Sequence, residues 1–540
     1  MRSRRIAPFL AASVVATLVP ALAPATAGAA ENPMAEYLRQ KPSWHRCDKD
    51  LTAAYQCATI KVPLDYNRPG GKKLDLAISR MKTMAKKERR GVLLLIPGGP
   101  GRSGLKMPDK MATTLPKAVT AKYDLVGFDP RGVGKSSPVS CGLTTEEMNW
   151  QQPYKAATFA KDVKSARTVA EKCDKKQGDK LRHITTRNTA RDLDVIRAVL
   201  GEKKISSLGY SYGTYLASVY TQMFPKNVDR FVLDSSVDPA RVWRGMIQVW
   251  AEGAEPAFAN WTKWTAKRHA KFKLGKTPAA VSKTFWDLVA QADRKPIDDG
   301  FGALLNGDGV RLYMRGMFFD AENAAYALKD MKDLNDAAEG KKTTPAPTRE
   351  SRKPERPAPP SFGPSSDPVT TPEDNQGATF WSIMCGDTRA WPTDPEQYRR
   401  DAIADKKKYP LYGDFGSSIK PCAFWKQHGA EPATKIDNKV GALILQNEWD
   451  SQTPLTSGQG LHRALKGSKM VTVIDGVGHG VVYGNKSCAD KTATAYLTTG
   501  KLPAKDVTCK AAPAEAGARS GTSPLPIPTP QGIPGIVGPF

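Results

Sequence analysis

Short continuous apolar runs recur along this chain, and each of them ends in a turn rich in glycine, proline or polar residues. Runs of this kind are typical of strands that are buried on both faces of a mainly parallel sheet. Several of the segments between them, such as 189–200 and 214–223, carry the apolar spacing of helices. The alternation predicts an α/β fold with a mostly parallel sheet. The predicted strands are 59–64, 74–81, 92–96, 123–128, 205–209, 231–233, 440–445 and 470–474.

The alternation stops between about residues 237 and 439. Three stretches in this interval look helical, namely 243–273, 284–292 and 322–339. Segment 341–376 holds nine prolines and few large apolar residues, a composition that predicts a loop.

These shifts in pattern predict how the chain is divided. We expect a sheet domain made of residues 31–239 and 431–510, with a mainly helical lid at 240–430 inserted between its two parts. Residues 511–540 are rich in proline, glycine and alanine, and we expect them to form a low-complexity tail.

The first thirty residues have the pattern of an export signal. Three arginines precede an apolar segment at 6–23, and small residues at 25–30 offer several A-x-A-like cleavage sites. The apolar segment is short and interrupted by prolines, which argues against a stable membrane anchor. We therefore predict a signal peptide at 1–30 and a secreted, extracellular protein, with the general and twin-arginine routes both open.

The charge would point to nucleic acid in a cytosolic protein, because 80 lysines and arginines against 54 acidic residues give +26 over 540 residues. Removing residues 1–30, with three arginines and no acid, leaves +23. The chain has no repeated basic-aromatic motif, so no nucleic-acid partner is predicted. Outside a cell this charge favours solubility and weak contact with anionic cell-wall polymers or acidic substrates.

The eight cysteines agree with export, because disulfides persist in oxidising compartments. Eight cysteines allow 105 pairings, and joining nearest neighbours closes the shortest loops. The predicted bridges are Cys47–Cys57, Cys141–Cys173, Cys385–Cys422 and Cys488–Cys509. No C-x-x-C motif occurs, so neither a metal site nor a cofactor is predicted.

Residues 209–213 read G-Y-S-Y-G and match the G-x-S-x-G motif of a nucleophilic serine. The motif lies between a predicted strand and a predicted helix, where two glycines permit the sharp turn that exposes the Ser211 hydroxyl. An ordinary strand-to-helix loop is the alternative. A serine needs a base, and the base needs an acid, in the chain order Ser, acid, His.

Two histidines follow the lid, and His479 lies in a glycine-flanked loop after the last predicted strand. His462 lies in a predicted helix and fits a surface or packing role. Asp450 follows the strand at 440–445 and is the preferred acid, with Glu448 as the local rival. The predicted catalytic residues are therefore Ser211, Asp450 and His479.

Backbone N–H groups have to stabilise the oxyanion that this chemistry forms. Tyr212, directly after the serine, supplies one of them, and the P-G-G-P-G loop at 97–101 supplies another, which we assign to Gly99. Residues 99–104 also match the G-x-G-x-x-G dinucleotide fingerprint. Two prolines in that turn and the predicted export argue against a dinucleotide.

The motifs now resemble a known family. The segments that carry the resemblance are 97–101 (PGGPG), 129–136 (DPRGVGKS), 209–216 (GYSYGTYL), 232–234 (VLD), Trp44, 57–59 (CAT), 62–66 (VPLDY), 450–455 (DSQTPL) and 478–480 (GHG). The chain is similar over about residues 44–509 to the secreted tripeptidyl aminopeptidases of actinobacteria, in the α/β-hydrolase clan that includes the prolyl aminopeptidases. The resemblance implies an α/β-hydrolase fold and the same Ser, Asp and His. Pro97, Arg102 and the pair Ser235-Ser236 depart from the family pattern, which puts substrate preference in question more than catalysis.

Together these features predict a secreted serine exopeptidase that acts on peptides or proteins with free N-termini through an acyl-enzyme. The resemblance implies release of tripeptides. An esterase or lipase, or a prolyl aminopeptidase, on the same scaffold is the alternative. A non-catalytic binding protein is disfavoured by the intact Ser, Asp and His.

An aminopeptidase also has to bind the cationic N-terminus of its substrate, and a buried ammonium group needs a carboxylate partner. The glycine loop and the serine turn offer only backbone donors, so the acids are expected from the lid. The candidates are Glu252, Glu255 and Asp387, for which solvated charges or a local cap are the alternative.

Overall fold

The computed structural model describes residues 33–299, 304–341, 371–483 and 487–511. The predicted signal peptide at 1–30 lies outside the described residues. Residues 342–370 of the proline-rich segment and 512–540 of the predicted tail lie outside them too.

A ten-stranded sheet with the order β1-β2-β3-β5-β4-β6-β7-β10-β11-β12 forms the centre of the described molecule. Neighbours pair in parallel from β5 through β4, β6, β7, β10 and β11 to β12, whereas β1, β2 and β3 join the edge in antiparallel. A separate pair, β8 and β9, is antiparallel. The strands are β1 His45–Arg46, β2 Tyr55–Pro63, β3 Lys73–Met81, β4 Gly91–Ile96, β5 Tyr123–Phe128, β6 Ile205–Tyr210, β7 Val228–Asp234, β8 Ile297–Asp298, β9 Leu304–Leu305, β10 Ala442–Trp449, β11 Lys469–Val477 and β12 Val507–Lys510.

All eight predicted apolar runs overlap strands of the large sheet, which confirms the α/β prediction. Strand β4 shows why a continuous apolar run is needed. Val92, Leu94 and Ile96 enter the larger hydrophobic core on one face, while Leu93 and Leu95 enter a smaller core on the other. Because successive side chains alternate between faces, a strand covered on both sides favours apolar residues at successive positions.

Helices cover both faces of the sheet. They are α1 Ala35–Leu38, α2 Met107–Thr114, α3 Lys117–Thr120, α4 Thr145–Met148, α5 Phe159–Gln177, α6 Thr186–Val199, α7 Tyr212–Met223, α8 Arg244–Ala266, α9 His269–Phe272, α10 Pro278–Arg294, α11 Gly307–Met317, α12 Ala321–Ala338, α13 Asn375–Gly386, α14 Pro395–Lys408, α15 Gly413–Gly416, α16 Leu455–Ala464 and α17 Cys488–Thr499. Among the described residues, no helix is both long enough and apolar enough to span a membrane.

The segment between β7 and β10, residues 235–441, is called the insertion below. It contains α8 to α15, and the stretches predicted at 243–273, 284–292 and 322–339 are helical in the structure. Sequence patterns missed α11, α13 and α14. Helix α8 packs against α10, α12 and α15, and its Gly253 lies against the loop after β10, since a Cβ there would be 3.0 Å from the Asp450 carbonyl oxygen.

The four predicted disulfides are present. Cys47–Cys57 joins the residue after β1 to β2, and Cys141–Cys173 joins a loop to α5. Cys385–Cys422 links α13 to a later turn of the insertion, and Cys488–Cys509 links α17 to β12. Each bridge closes a short loop, as the nearest-neighbour pairing predicts.

Candidate active site

Ser211 occupies a sharp turn between β6, which ends at Tyr210, and α7, which begins at Tyr212. Its backbone has φ 55°, a conformation that costs free energy for a residue with a side chain and is typical of functional turns. The flanking glycines make the turn sterically feasible. A Cβ at Gly209 would lie 2.8 Å from the Gly213 carbonyl oxygen, and one at Gly213 would lie 2.6 Å from the Ile96 carbonyl oxygen.

His479 and Asp450 meet at the ends of neighbouring strands, since Asp450 directly follows β10 and His479 lies just beyond β11. His479 Nδ1 is 2.9 Å from Asp450 Oδ2, and the two side chains are 6% and 0% exposed. The N–H groups of Gln452 and Thr453 donate to Asp450 Oδ1 at 2.8 and 2.9 Å. Thr453 Oγ1 donates to Oδ2 at 2.8 Å. These donors fix which edge of the carboxylate faces the imidazole.

The other two candidates for these roles have different contacts. Glu448 Oε2 accepts the N–H of Asp475 at 2.8 Å. His462 is held by Ser468 through Nδ1 and by Asp506 through Nε2. The structure therefore pairs His479 with Asp450 rather than with Glu448.

The end of β7 connects the turn at Ser211 to the loop that follows β11 and carries His479, called the histidine loop below. The Ser211 N–H donates to the Asp234 carbonyl oxygen at 3.0 Å, and the Asp234 carboxylate accepts the N–H groups of Val481 and Val482. Burial raises the pKa of Asp234 to about 6, although these donors and Ser235 oppose the rise. One buried aspartate thus holds two loops that are far apart in sequence.

Ser235 adds a second contact to the histidine loop. Its Oγ donates to Asp234 Oδ1 at 2.9 Å and accepts the Gly480 N–H at 2.8 Å. Its backbone φ of 57° lies in the region that favours glycine. Ser235 thus has a backbone conformation that glycine would adopt more easily, and its side chain forms a hydrogen bond to Gly480, the residue after His479.

The glycine loop after β4 runs directly beside Ser211. A Cβ at Gly98 would lie 3.2 Å from Ser211 Cβ, so Gly98 is the loop residue packed against the serine. Gly99 has φ 112°, and a Cβ there would lie 2.9 Å from the Gly101 nitrogen and 3.2 Å from the Arg102 nitrogen. The sequence prediction named Gly99, and the contact with Ser211 adds Gly98 as a second candidate. Both remain candidates for the second oxyanion donor, with Tyr212 for the first.

Comparison with known proteins places this site in a family. The α/β hydrolase fold family matches residues 91–286, and the family described as TAP-like protein matches residues 409–509. The tripeptidyl aminopeptidase of Streptomyces lividans is 34% identical over 490 residues, which cover 86% of this chain and 86% of that protein. The chain belongs to the tripeptidyl aminopeptidase family.

Two further relatives of this tripeptidyl aminopeptidase family member have other names. The serine protease Hip1 of Mycobacterium tuberculosis (strain ATCC 25618 / H37Rv) is 30% identical over 487 residues, covering 84% of this chain and 87% of that protein. Carboxylesterase B of the same strain is 31% identical over 532 residues, covering 91% and 94%. The family and its named peptidases show that the chain is a serine hydrolase of the peptidase type.

In this family member the three carboxylates predicted to bind the substrate amine each have a partner within the protein. Glu252 pairs with Arg241 at 2.7 Å, and Glu255 accepts the Leu411 N–H at 2.6 Å. Burial raises the pKa of Glu255 above its ordinary value. The amine-binding role of these three carboxylates stays a prediction.

Asp387 is the most enclosed of the three. It accepts the Thr186 N–H at 2.8 Å and the Trp243 Nε1–H at 3.0 Å, and burial raises its pKa to about 6. Thr186 Oγ1 also lies 2.9 Å from the Tyr212 hydroxyl, so Asp387 is linked through Thr186 to the first residue of α7.

Within the described ranges, no cluster of three or more His, Cys, Asp or Glu residues could hold a metal ion.

Proposed function

We propose that this protein is an exported serine exopeptidase, with Ser211, His479 and Asp450 as its catalytic triad, that releases tripeptides from free N-termini. The observation that carries the proposal is the 2.9 Å contact between His479 Nδ1 and Asp450 Oδ2, in loops anchored to the same strand end as the strained Ser211 turn. Nucleophile, base and orienting acid are the parts that acyl transfer needs.

The chemistry follows from these positions. His479 Nε2 takes the proton of Ser211 as its Oγ attacks the scissile carbonyl, and the N–H of Tyr212 with that of Gly98 or Gly99 stabilises the resulting oxyanion. His479 returns the proton to the leaving amine, which leaves an acyl-enzyme on Ser211. Water, deprotonated by His479, then releases the peptide acid and restores the serine hydroxyl. Asp450 holds the imidazole with Nδ1–H toward its own carboxylate throughout.

Export is the second part of the proposal. The four disulfides favour an oxidising compartment, and the signal pattern at 1–30 supplies a route to it. The charge of +23 after removal of that segment suits weak contact with anionic cell-wall polymers. Peptides and proteins with free N-termini would be the substrates in that setting.

Removing the positive charge from the substrate N-terminus tests the exopeptidase assignment. We expect a free-amine tripeptide anilide to be cleaved with kcat/KM at least about thirtyfold higher than its N-acetylated twin. Acetylation leaves the protein carboxylate that pairs with the amine buried and unpaired, which costs about 2–5 kcal/mol. A single-residue anilide should be a poorer substrate than the tripeptide. The measurement is release of the aniline chromophore by the purified protein.

Neutral substitutions then test which carboxylate reads the amine. Glu252→Gln, Glu255→Gln and Asp387→Asn are compared on the free-amine and acetylated substrates. A variant that loses only the preference for the free amine identifies the residue. Equal cleavage of both anilides by the wild-type protein would instead remove the exopeptidase proposal and favour an endopeptidase.

An esterase is the second candidate, and the relative named carboxylesterase B is the observation that favours it. The triad alone does not decide the scissile bond, since amide and ester hydrolysis use the same acyl-enzyme. Short-chain acyl esters of nitrophenol, assayed beside the anilides, separate the two. Turnover of esters without turnover of any peptide anilide would assign the site to esters.

Loss of the Ser235 hydroxyl tests the link between β7 and the histidine loop. We expect Ser235→Ala to lower kcat about tenfold with KM within twofold, because a small displacement of a catalytic group is costly while substrate contacts persist. Steady-state kinetics on the tripeptide anilide measure both constants. An unchanged kcat would mean that the Gly480 contact does not position His479.

A further inference from the structure

A buried arginine without a carboxylate partner lies in the insertion, close to the proposed triad. Arg315, on α11, is 6% exposed. Its guanidinium lies 5.0 Å from the ring centroid of Trp250 and 4.4 Å from that of Tyr412. Nη2 donates to Gln452 Oε1 at 2.6 Å, and the buried Nε has no hydrogen-bond partner in the described part of the chain. Among the described residues, no carboxylate forms an ion pair with it.

The preceding turn of the same helix shows how this chain stabilises a buried arginine when the role is structural. Arg311, 4% exposed, pairs with Asp308 and Asp414 and donates to the carbonyl oxygens of Pro410 and Leu411. Taking an ion out of water is costly, and stacking on aromatic faces returns only part of that cost. Arg315 therefore has less compensation for its positive charge than Arg311: it has the two aromatic rings and the attraction of the Asp450 carboxylate, with which it forms no ion pair in the described structure.

The position of Arg315 connects that charge to the proposed active site. Gln452, which holds its Nη2, donates its own N–H to Asp450. Phe319, four residues further along, stacks on the His479 ring with centroids 5.8 Å apart. Arg315 on α11 therefore contacts the loop after β10 that carries Asp450, called the acid loop below, and Phe319, just after α11, contacts the histidine loop.

Aromatic side chains continue from Arg315 to the glycine loop. Trp250 contacts Trp150, and Trp150 stacks on Phe380 with ring centroids 5.1 Å apart. A Cβ at Gly101 would lie 3.3 Å from the Phe380 nitrogen, so this row reaches the loop beside Ser211. Lys420 is a second buried cation here, over the Trp150 ring, and burial lowers its pKa to about 7.

We propose that Arg315 binds a carboxylate of the peptide substrate. The inference rests on the proposed function for the identity of the ligand as a peptide, and it adds a specificity that the triad does not contain. Two sources share this chemistry: an acidic side chain, and the C-terminal carboxylate of a short peptide. The planar guanidinium and its unused Nε–H suit either group, because arginine binds carboxylates through directed, charge-assisted hydrogen bonds.

Binding to the full chain with Ser211→Ala tests the inference without turnover. Calorimetry compares the binding of three pairs of tetrapeptides. The first pair is a tetrapeptide with a free C-terminal carboxylate and the same peptide as its C-terminal amide. The other two pairs are C-terminal amides that carry either Glu or Gln, at the third position in one pair and at the fourth position in the other. We expect one pair to show at least about tenfold tighter binding of the anionic member, about 1.4 kcal/mol. The pair that shows it identifies the source of the carboxylate.

Substitutions then assign the preference to Arg315. Arg315→Met, in the Ser211→Ala chain, should abolish the difference between anionic and neutral peptides, and Arg315→Lys, as a second variant that keeps the charge, should retain part of it. Arg268→Met is the matched control, because Arg268 also lies in the insertion and stacks on a tryptophan, Trp264, at 3.9 Å. That control should leave the preference unchanged.

Two results would overturn the inference. One is equal binding of the anionic and neutral members of every pair. The other is an Arg315→Met chain that weakens all peptides equally, which would assign Arg315 to support of the acid loop through Gln452. If the wild-type protein cleaves none of these peptides, the proposed function fails, and the binding comparison still decides whether Arg315 reads a carboxylate.

Discussion

We expect the replacement of Ser211 with alanine to lower kcat at least about a thousandfold, because the members of a catalytic triad act as a unit and oxyanion donors alone retain only a residual acceleration. The fold should persist. Alanine meets the same backbone cost at φ 55° as serine does, and the Ser211 N–H that donates to Asp234 is unchanged. We therefore expect an inactive protein with the thermal midpoint of the wild type.

Ser207→Ala provides the matched control for that experiment. Ser207 lies on β6, four residues before Ser211, and its buried hydroxyl has no hydrogen-bond partner within the described ranges. Its removal should change kcat less than about twofold, since no interaction is lost. The assay is anilide release, with labelling by a fluorophosphonate as an independent readout of the reactive serine. Labelling that persists in Ser211→Ala would place the nucleophile elsewhere.

Local patterns were sufficient for the features that depend on neighbouring residues. A strand such as β4 has to be apolar at every position because both of its faces are covered, and the turn at Ser211 has to carry glycine on both sides. Asp450 and His479 were predicted from the chain order Ser, acid, His and from their places in loops that follow predicted strands. The disulfides follow the shortest loops for a related reason: their partners are close in sequence.

Contacts between distant segments could not be predicted in this way. The hydrogen bond from Gly480 to Ser235 spans 245 residues, and that from Thr186 to Asp387 spans 201. A sequence shows that Asp387 is acidic but not that Thr186 and Trp243 already use its oxygens. The sequence does not distinguish Arg315 from Arg311 for the same reason, because only the fold shows which of them forms ion pairs with carboxylates among the described residues.

Asp450→Asn should lower kcat about a thousandfold to ten-thousandfold, through the tautomer of His479. Oδ1 of Asp450 accepts two backbone N–H groups, from Gln452 and Thr453, so the amide oxygen of asparagine has to take that position. The amide NH₂ then faces His479 Nδ1, which must become an acceptor. Its proton moves to Nε2, and the imidazole can no longer take the proton of Ser211.

Glu448→Gln is the control for this substitution, since the glutamine oxygen can accept the Asp475 N–H as the carboxylate does. We expect its kcat to stay within about threefold of the wild type, because neither the triad nor a buried charge is altered. Kinetics on the tripeptide anilide, with thermal midpoints measured for both variants, separate catalysis from folding. Equal losses at the two positions would contradict the choice of Asp450, and a loss at Glu448 alone would transfer the role to that residue. If Asp450→Asn retains activity at the wild-type level, then His479 does not depend on its closest carboxylate and the proposed triad is wrong.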